Sequence, residues 1–143
     1  MPIRLRRTPP GIPYPAPWVR LAGYDIRIAP LRDALGIERS GRIIIDPSVV
    51  GDIPILIHEM THAQQAAKYG RLWNTIAGFA RLLELIKARG DLDKAYWNDP
   101  FEREAFAMEA RARRRQQAEQ QARIAALRMM QAAAKKKGGK VLP

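Results

Sequence analysis

Alternating apolar and polar positions identify two candidate strands in the first third of the chain. YDIRI, residues 24 to 28, alternates with a period of two, which is typical of a strand with one buried face. GRIIID, residues 41 to 46, is rich in β-branched residues and is bounded by glycine and proline, so it is the strongest strand prediction. The segment between them, LRDALGI at residues 31 to 37, is compatible with a short helix that ends at Gly36.

Three later segments have the apolar periodicity of helices and suitable residues at their ends. Pro47-Ser48 and Gly51-Asp52 offer caps for the first of them, and Asp99 as an N-cap and Pro100 at the first helical position open the last. A loop, DLDKAYWND, separates it from the helix before. The predicted helices cover about residues 52 to 69, 72 to 88 and 100 to 134. A short sheet followed by three main helices predicts a small α+β domain.

The first predicted helix has one polar and one apolar face. On a helical wheel, His58, His62, Gln65 and Tyr69 fall within about 60° of one another, and Leu56, Met60, Ala63 and Ala67 fall on the opposite side. The apolar side predicts packing against the core. The polar side presents both histidines of the chain, one turn apart.

The motif HEMTHAQQ, residues 58 to 65, predicts a zinc site. Two neutral imidazoles one turn apart can both reach one ion at about 2.0–2.1 Å. Glu59 follows the first histidine and is placed to take a proton from the water that the zinc activates. The alternative interpretation is a pair of histidines that bind no metal, as chance alone would produce.

The remaining protein ligand must be a carboxylate, because the chain has no cysteine and no third histidine. NDPFEREAFAMEA, residues 98 to 110, stands out because a capped helix start would hold a carboxylate rigidly. Glu102 and Glu104 lie about 160° apart on this helix, so only one of them can face the metal. Glu104 is nearer the apolar stripe of Phe101 and Met108 and is favoured, with Glu102 as the alternative. Both could instead simply complement the positive end of the helix dipole.

HEMTHAQQ, followed some 40 residues later by NDPFEREA, resembles the HExxHxxQ zinc metallopeptidase domains of the gluzincin type, which occur in bacterial and phage-associated proteins. The resemblance spans roughly residues 43 to 110. It implies a small zincin-like domain in which His58, His62 and Glu104 bind Zn²⁺ and Glu59 is the general base. By the same analogy, the IIID strand would be the edge strand that pairs with an extended substrate, although an ordinary core strand fits the sequence equally well.

The expected activity is hydrolysis of peptide bonds in a peptide or protein substrate. Zinc would polarise the carbonyl, and Glu59 would activate water and then protonate the leaving amine. Tyr96 or Tyr69 would steady the oxyanion, and the sequence does not choose between them. The alternative is a structural subunit of a larger, phage virion-like assembly built on the same fold, in which the zinc is structural or the activity is lost.

The two ends of the chain differ from this domain in composition. Residues 1 to 20 form a Pro-rich extended arm, residues 21 to 110 the zincin-like domain, and residues 111 to 143 a basic tail of helical Ala, Arg and Gln. From residue 111 onward there are ten Lys or Arg against one acid, so +9 of the net charge of +11 belongs to the tail. Arm and tail are candidates for protein assembly contacts, and the tail for non-specific contact with nucleic acid.

The composition also bears on where the protein acts. The prolines of the first 20 residues interrupt the apolar helix that a signal peptide needs, and no apolar run approaches the length of a membrane span. The lack of cysteine fits a reducing compartment. The sequence therefore predicts a cytoplasmic protein, or one incorporated in a virion-like assembly, without a membrane partner.

Overall fold

A computed structural model describes residues 16–21, 23–39 and 41–138, the last three as backbone only. Most of the predicted Pro-rich arm, residues 1–15, lies outside this range. The described end of the arm joins the sheet, since Val19–Leu21 forms strand β1 and Ala16 N donates to the Ile28 carbonyl oxygen at 2.9 Å.

Four strands form one sheet in the described part of the chain: β1, then β2 (Tyr24–Ile28), β3 (Gly36–Arg39) and β4 (Arg42–Ile45). Their order is β1-β2-β4-β3; β2 and β4 run parallel, whereas β1 pairs with β2 and β3 with β4 in antiparallel fashion. Both predicted strands are confirmed. Of the two positions left open for the IIID strand, the structure has the inner one, because β4 lies between β2 and β3 and β3 forms the edge on that side.

The edge strand β3 replaces part of the predicted short helix. Its residues pair with β4 in a hairpin, with Ile37 opposite Ile44 and Glu38 opposite Ile43. Pairing with the strongly β-forming RIII segment of β4 outweighs the weak helical tendency of LRDALGI, whose Gly36 begins the strand instead of ending a helix.

Helix α1 (Ile53–Tyr69) covers one face of the sheet. The Asp52 side chain caps it by accepting from Ile55 N at 3.3 Å, and Gly70, at a φ of 56°, follows its last turn. The core between the two layers consists of Ile43, Ile45, Ile55 and Ala63, with Tyr24, Ile26 and Met60 packed at its margin.

Three further helices follow: α2 (Trp73–Lys87), α3 (Leu92–Asn98) and α4 (Pro100–Gly138). The segment predicted as a loop forms α3, because Asp91 accepts from Lys94 N at 3.0 Å and so caps a short helix. Asp99 is buried and accepts from Phe101 N at 2.9 Å, which is the predicted start of the last helix. The α+β class is confirmed.

The chain divides into two compact units, Met1–Ala110 and Arg111–Pro143. The first contains the sheet, α1, α2, α3 and the first turns of α4. In the second, side chains are solvent-exposed throughout its described length apart from the half-buried Ala112. None of the helices in the described residues is both long and apolar enough to cross a bilayer.

Candidate metal centre

The side chains of His58 and Glu59 on helix α1 are buried in the protein. His58 and Glu59 are each only 7% exposed, and Gln65 is also buried. Their backbone positions follow from the helix: His58 and His62 share a face because they are four residues apart. Buried imidazole and carboxylate groups need partners, so the surroundings of these side chains are informative.

Three ligand-type atoms converge beside α1. His58 Nε2 lies 3.2 Å from His62 Nε2, and Glu102 Oε2 lies 3.5 Å from the first and 3.3 Å from the second. In a tetrahedral site with bonds of about 2.0–2.1 Å, two ligand atoms lie about 3.3–3.4 Å apart. The triangle therefore has the dimensions of one face of such a site. His58, His62 and Glu102 form a largely buried group that could hold a metal ion.

The tautomer of His58 favours this role. Its Nδ1 lies 3.1 Å from Glu109 Oε2. An ionised carboxylate only accepts hydrogen bonds, so Nδ1 carries the proton and donates it. The lone pair of His58 is consequently on Nε2, the atom that faces the cluster.

His62 is oriented by a longer chain of hydrogen bonds. The Gln65 amide donates from Nε2 to the Phe101 carbonyl oxygen at 3.1 Å and to Glu104 Oε2 at 2.9 Å. Its Oε1 is thereby turned to His62 Nδ1, 2.9 Å away, and accepts from it. The His62 lone pair is also on Nε2. In their neutral forms both imidazoles thus present the Nε2 lone pair to the cluster. Burial would lower the pKa of His62, but the Glu102 carboxylate outweighs it and raises that pKa.

Glu104 therefore occupies a different place from the one expected. The structure brings Glu102, the alternative of the sequence analysis, to the two histidines, and Glu104 orients His62 through Gln65. The apolar stripe was a misleading guide to the rotation of α4, because Met108 is 38% exposed. The 4-3 spacing of Glu102, Phe106 and Glu109 marks the inward face, and the Phe106 ring contacts that of His58 at 4.7 Å.

Glu102 is the member of the cluster whose surroundings best suit a bound cation. Its Oε2 is buried without a hydrogen-bond partner, while its Oε1 accepts from Arg81 Nη2 at 2.8 Å. Arg81 also donates to the buried Asp99 at 3.3 Å, which ties the helix start to α2. Burial alone would raise the pKa of Glu102, but the imidazoles of His58 and His62 outweigh it and hold that pKa well below its usual range. The carboxylate stays ionised beside the two imidazoles, and a cation bound between the three groups would be stabilised there.

Glu59 lies next to this cluster and is held by the backbone of β3. A Cβ built on Gly36 would stand 2.6 Å from Glu59 Cγ and 2.7 Å from its Oε1. Only glycine leaves room for the Glu59 side chain at this point. Burial raises the pKa of Glu59, and the nearby His58 and His62 offset part of that increase. A carboxylate with a raised pKa is suited to accepting and returning a proton near neutral pH.

A cavity of about 500 Å³ gives access to the cluster from one side, and Glu59 lines the same cavity as His58, His62 and Glu102. Tyr96 is also on its wall. Burial, with a contribution from Glu102, raises the pKa of Tyr96, so its hydroxyl remains a donor. Strand β3 contributes Gly36 to Glu38 to the wall, and α2 contributes Trp73, Asn74, Ala77, Gly78 and Arg81.

Tyr69, the other candidate for steadying an oxyanion, is placed elsewhere. Its ring stacks on Trp73 at 6.0 Å and contacts Phe101 at 5.7 Å edge to face. It lines a separate cavity with Gln65 and Glu104. Of the two tyrosines, Tyr96 is the one beside the cluster. The sequence did not predict a role at this site for Arg81, Glu109 or Gly36, since none of them belongs to the HEMTHAQQ motif.

Comparisons with known proteins find no relative for this chain: no protein-family model, no curated protein and no solved structure matches it.

Proposed function

We propose that this protein is a zinc-dependent metallopeptidase, with His58, His62 and Glu102 as the metal ligands and Glu59 as the general base. The observation that carries the proposal is the shared cavity. The three ligand-type atoms and a buried carboxylate with a raised pKa open to the same space. A purely structural metal site would be closed by a fourth protein ligand and would not need that carboxylate.

Zinc is the ion that fits this group of donors best. Two neutral imidazole nitrogens and one carboxylate oxygen form the three-ligand set of catalytic zinc sites, and the spacing of the three atoms suits tetrahedral geometry. Mg²⁺ and Ca²⁺ prefer sites built of oxygen ligands alone. When bound, zinc would supply a Lewis acid that polarises the scissile carbonyl and makes water more acidic.

Three residues of the chain would carry out proton transfer, stabilisation of the developing charge and positioning of the carboxylate ligand. Glu59 accepts a proton from the attacking water and then delivers it to the amine that leaves. The Tyr96 hydroxyl, which keeps its proton because its pKa is raised, donates a hydrogen bond to the oxygen on which negative charge develops. Arg81 holds the Glu102 carboxylate through Oε1 and leaves Oε2 for the metal.

The position of β3 favours a peptide as the substrate. It is an edge strand, and Gly36 to Glu38 form one wall of the cavity. An extended peptide can add to such an edge through main-chain hydrogen bonds, which would lay a peptide bond beside Glu59. Because Gly36 has no side chain, Glu59 lies directly against the backbone of this strand.

The direct test is cleavage of a broad peptide library by the zinc-loaded wild type and by Glu59→Gln, with zinc content measured on the same samples. Glutamine keeps the shape but cannot accept the proton. We expect zinc to be retained and the rate to fall by about 10²–10⁴-fold.

Glu119→Gln is the control, because it makes the same change at an exposed carboxylate that does not line the cavity. It should alter the rate far less than Glu59→Gln. Equal rates for wild type and Glu59→Gln would contradict the role of Glu59. A zinc-loaded wild type that cleaves no peptide in the library would contradict the peptidase assignment.

A further inference from the structure

Helix α2 is turned with its polar side toward the body and its apolar side toward solvent. Asn74, Ala77, Gly78 and Arg81 face the cavity of the candidate metal centre. None of the residues from Trp73 to Lys87 is fully buried, although this helix is rich in leucine and isoleucine. A surface helix of a monomer normally has the reverse arrangement.

The apolar side forms one continuous stripe, which we call the α2 seam: Leu72, Ile76, Phe79, Leu83 and Ile86. The spacing is 4-3-4-3, the pattern by which one helix packs against another. Leu72, Phe79 and Ile86 are 63%, 61% and 65% exposed, and Leu83 is 40% exposed. On the helical wheel, the α2 seam lies directly opposite Arg81. Occupying it would leave the cavity open.

The size of the α2 seam indicates what can cover it. Together with Leu82, which is 51% exposed, it offers roughly 500 Å² of apolar surface, as large as the patches that mark interaction sites on monomers. Two such surfaces facing each other would bury roughly 1,000 Å², which is about the lower limit for a specific interface and suits an association that depends on concentration.

The borders of the α2 seam favour a second copy of this chain over an oppositely charged partner. Thr75 and Ala80 flank the stripe and are neutral. Lys87, on the border of the last turn, is already paired with Glu84 at 2.5 Å, and Arg71 and Arg89 lie beyond the two ends of the stripe. Despite the net charge of +11, two copies can therefore approach through the middle of this surface without placing unpaired like charges in contact.

We infer that two copies of this protein associate through the α2 seam in a symmetric, antiparallel pair. Phe79 is the middle residue of the stripe, so a two-fold axis would pass close to it and bring the two Phe79 rings together at the centre of the interface. A central aromatic residue is the position at which interface energy usually concentrates. The inference uses no property of the metal centre and does not depend on the proposed activity.

The first test is the mass of the full-length protein in solution, measured by light scattering or sedimentation over a range of concentrations. One chain has a mass of 16.2 kDa, and we expect wild type to approach twice that value as concentration rises. Phe79→Glu should weaken association by at least about 30-fold. Val50→Glu is the control, since Val50 is a similarly exposed apolar residue outside the α2 seam. Its mass should match that of wild type.

A second test exploits the lack of cysteine in the chain. In Phe79→Cys, the two new thiols of an antiparallel pair lie close enough for a disulfide, so mild oxidation should give a cross-linked dimer in high yield. Val50→Cys should stay uncross-linked. The inference would be overturned if wild type were monomeric at all concentrations. It would also be overturned by a dimer that persists in Phe79→Glu and does not cross-link in Phe79→Cys, or by an α2 seam that binds only a different protein.

Discussion

Helices α1 and α2 line the same cavity, yet they distribute polar and apolar groups in opposite ways. Helix α1 buries ionisable residues, with His58 and Glu59 each 7% exposed, whereas α2 exposes a large apolar side chain, Phe79. The packing against them differs as well. A Cβ on Gly36 would collide with Glu59 of α1, whereas one on Gly78 of α2 would meet no atom within 4 Å.

Buried ionisable groups and exposed apolar groups both cost free energy, and each indicates a different role for its helix. Burying charged and imidazole groups costs free energy that only specific partners recover, and at α1 those partners leave one oxygen, Glu102 Oε2, unsatisfied. Exposing an apolar stripe costs free energy that association recovers. Chemistry is therefore expected at α1 and binding at the outer face of α2. Changes at one helix should therefore leave the property of the other helix unaffected.

The largest effect is expected from removing both imidazoles of α1. In the double variant His58→Ala, His62→Ala, two of the three ligands are lost, and protein purified without added metal should contain no zinc, against close to one zinc per chain in wild type. Elemental analysis measures both. Because Phe79 lies on another helix and faces away, Phe79→Glu should retain its zinc. Equal zinc content in wild type and the double variant would contradict the site.

A smaller but graded effect is expected at the two glutamates of α4. Glu102→Ala removes a ligand, and Glu104→Ala only releases Gln65, which orients His62. Loss of such an outer hydrogen bond typically weakens metal binding by about 10–100-fold, and loss of Glu102 should exceed that.

Competition for zinc against a chelator would rank the two variants. Glu119→Ala is the control on the same helix, where an exposed carboxylate pairs with Arg115 at 3.1 Å. It should leave the affinity unchanged. A greater loss in Glu104→Ala than in Glu102→Ala would show that the rotation of α4 differs from the one described.

The smallest expected effects are changes in stability when alanine replaces Gly36, which lies close to Glu59 of α1, or Gly78 of α2, which has free space around it. Gly36→Ala should lower the free energy of unfolding by about 1–3 kcal/mol, because its Cβ displaces the Glu59 side chain. Gly78→Ala should instead raise it by about 0.5–1 kcal/mol, since alanine favours helix and finds free space. Urea denaturation of metal-free protein measures both.

A double-mutant comparison identifies the cause of the Gly36→Ala effect. In a Glu59→Ala background the colliding atoms are gone, so the loss of stability caused by Gly36→Ala should nearly vanish. The same loss in both backgrounds would show that Gly36 is required for the strand itself and not for the position of Glu59.

Local patterns in the sequence predicted a good part of this architecture. The β-branched segment at residues 42 to 45, the caps at Asp52 and Asp99 and the shared face of His58 and His62 follow from short-range rules, and the structure has all of them. Those features depend on neighbours along the chain, and their physical causes are therefore visible in the sequence.

The remainder depended on contacts between distant segments. The choice of Glu102 over Glu104 is a matter of how far α4 is rotated, which Arg81 and Asp99 fix through contacts 18 to 21 residues apart in the chain. The edge position of β3 follows from sheet order, which no single strand encodes. Gly36 belongs to no motif, and its role emerges only when β3 lies against Glu59.

The most direct test of the account is a crystal structure of the zinc-loaded protein with anomalous diffraction recorded at the zinc absorption edge. The account predicts one strong peak per chain, within about 2.0–2.1 Å of His58 Nε2, His62 Nε2 and Glu102 Oε2, with Glu104 still bonded to Gln65. A peak coordinated by Glu104 in place of Glu102, or zinc-loaded crystals with no peak between the two histidines, would contradict it.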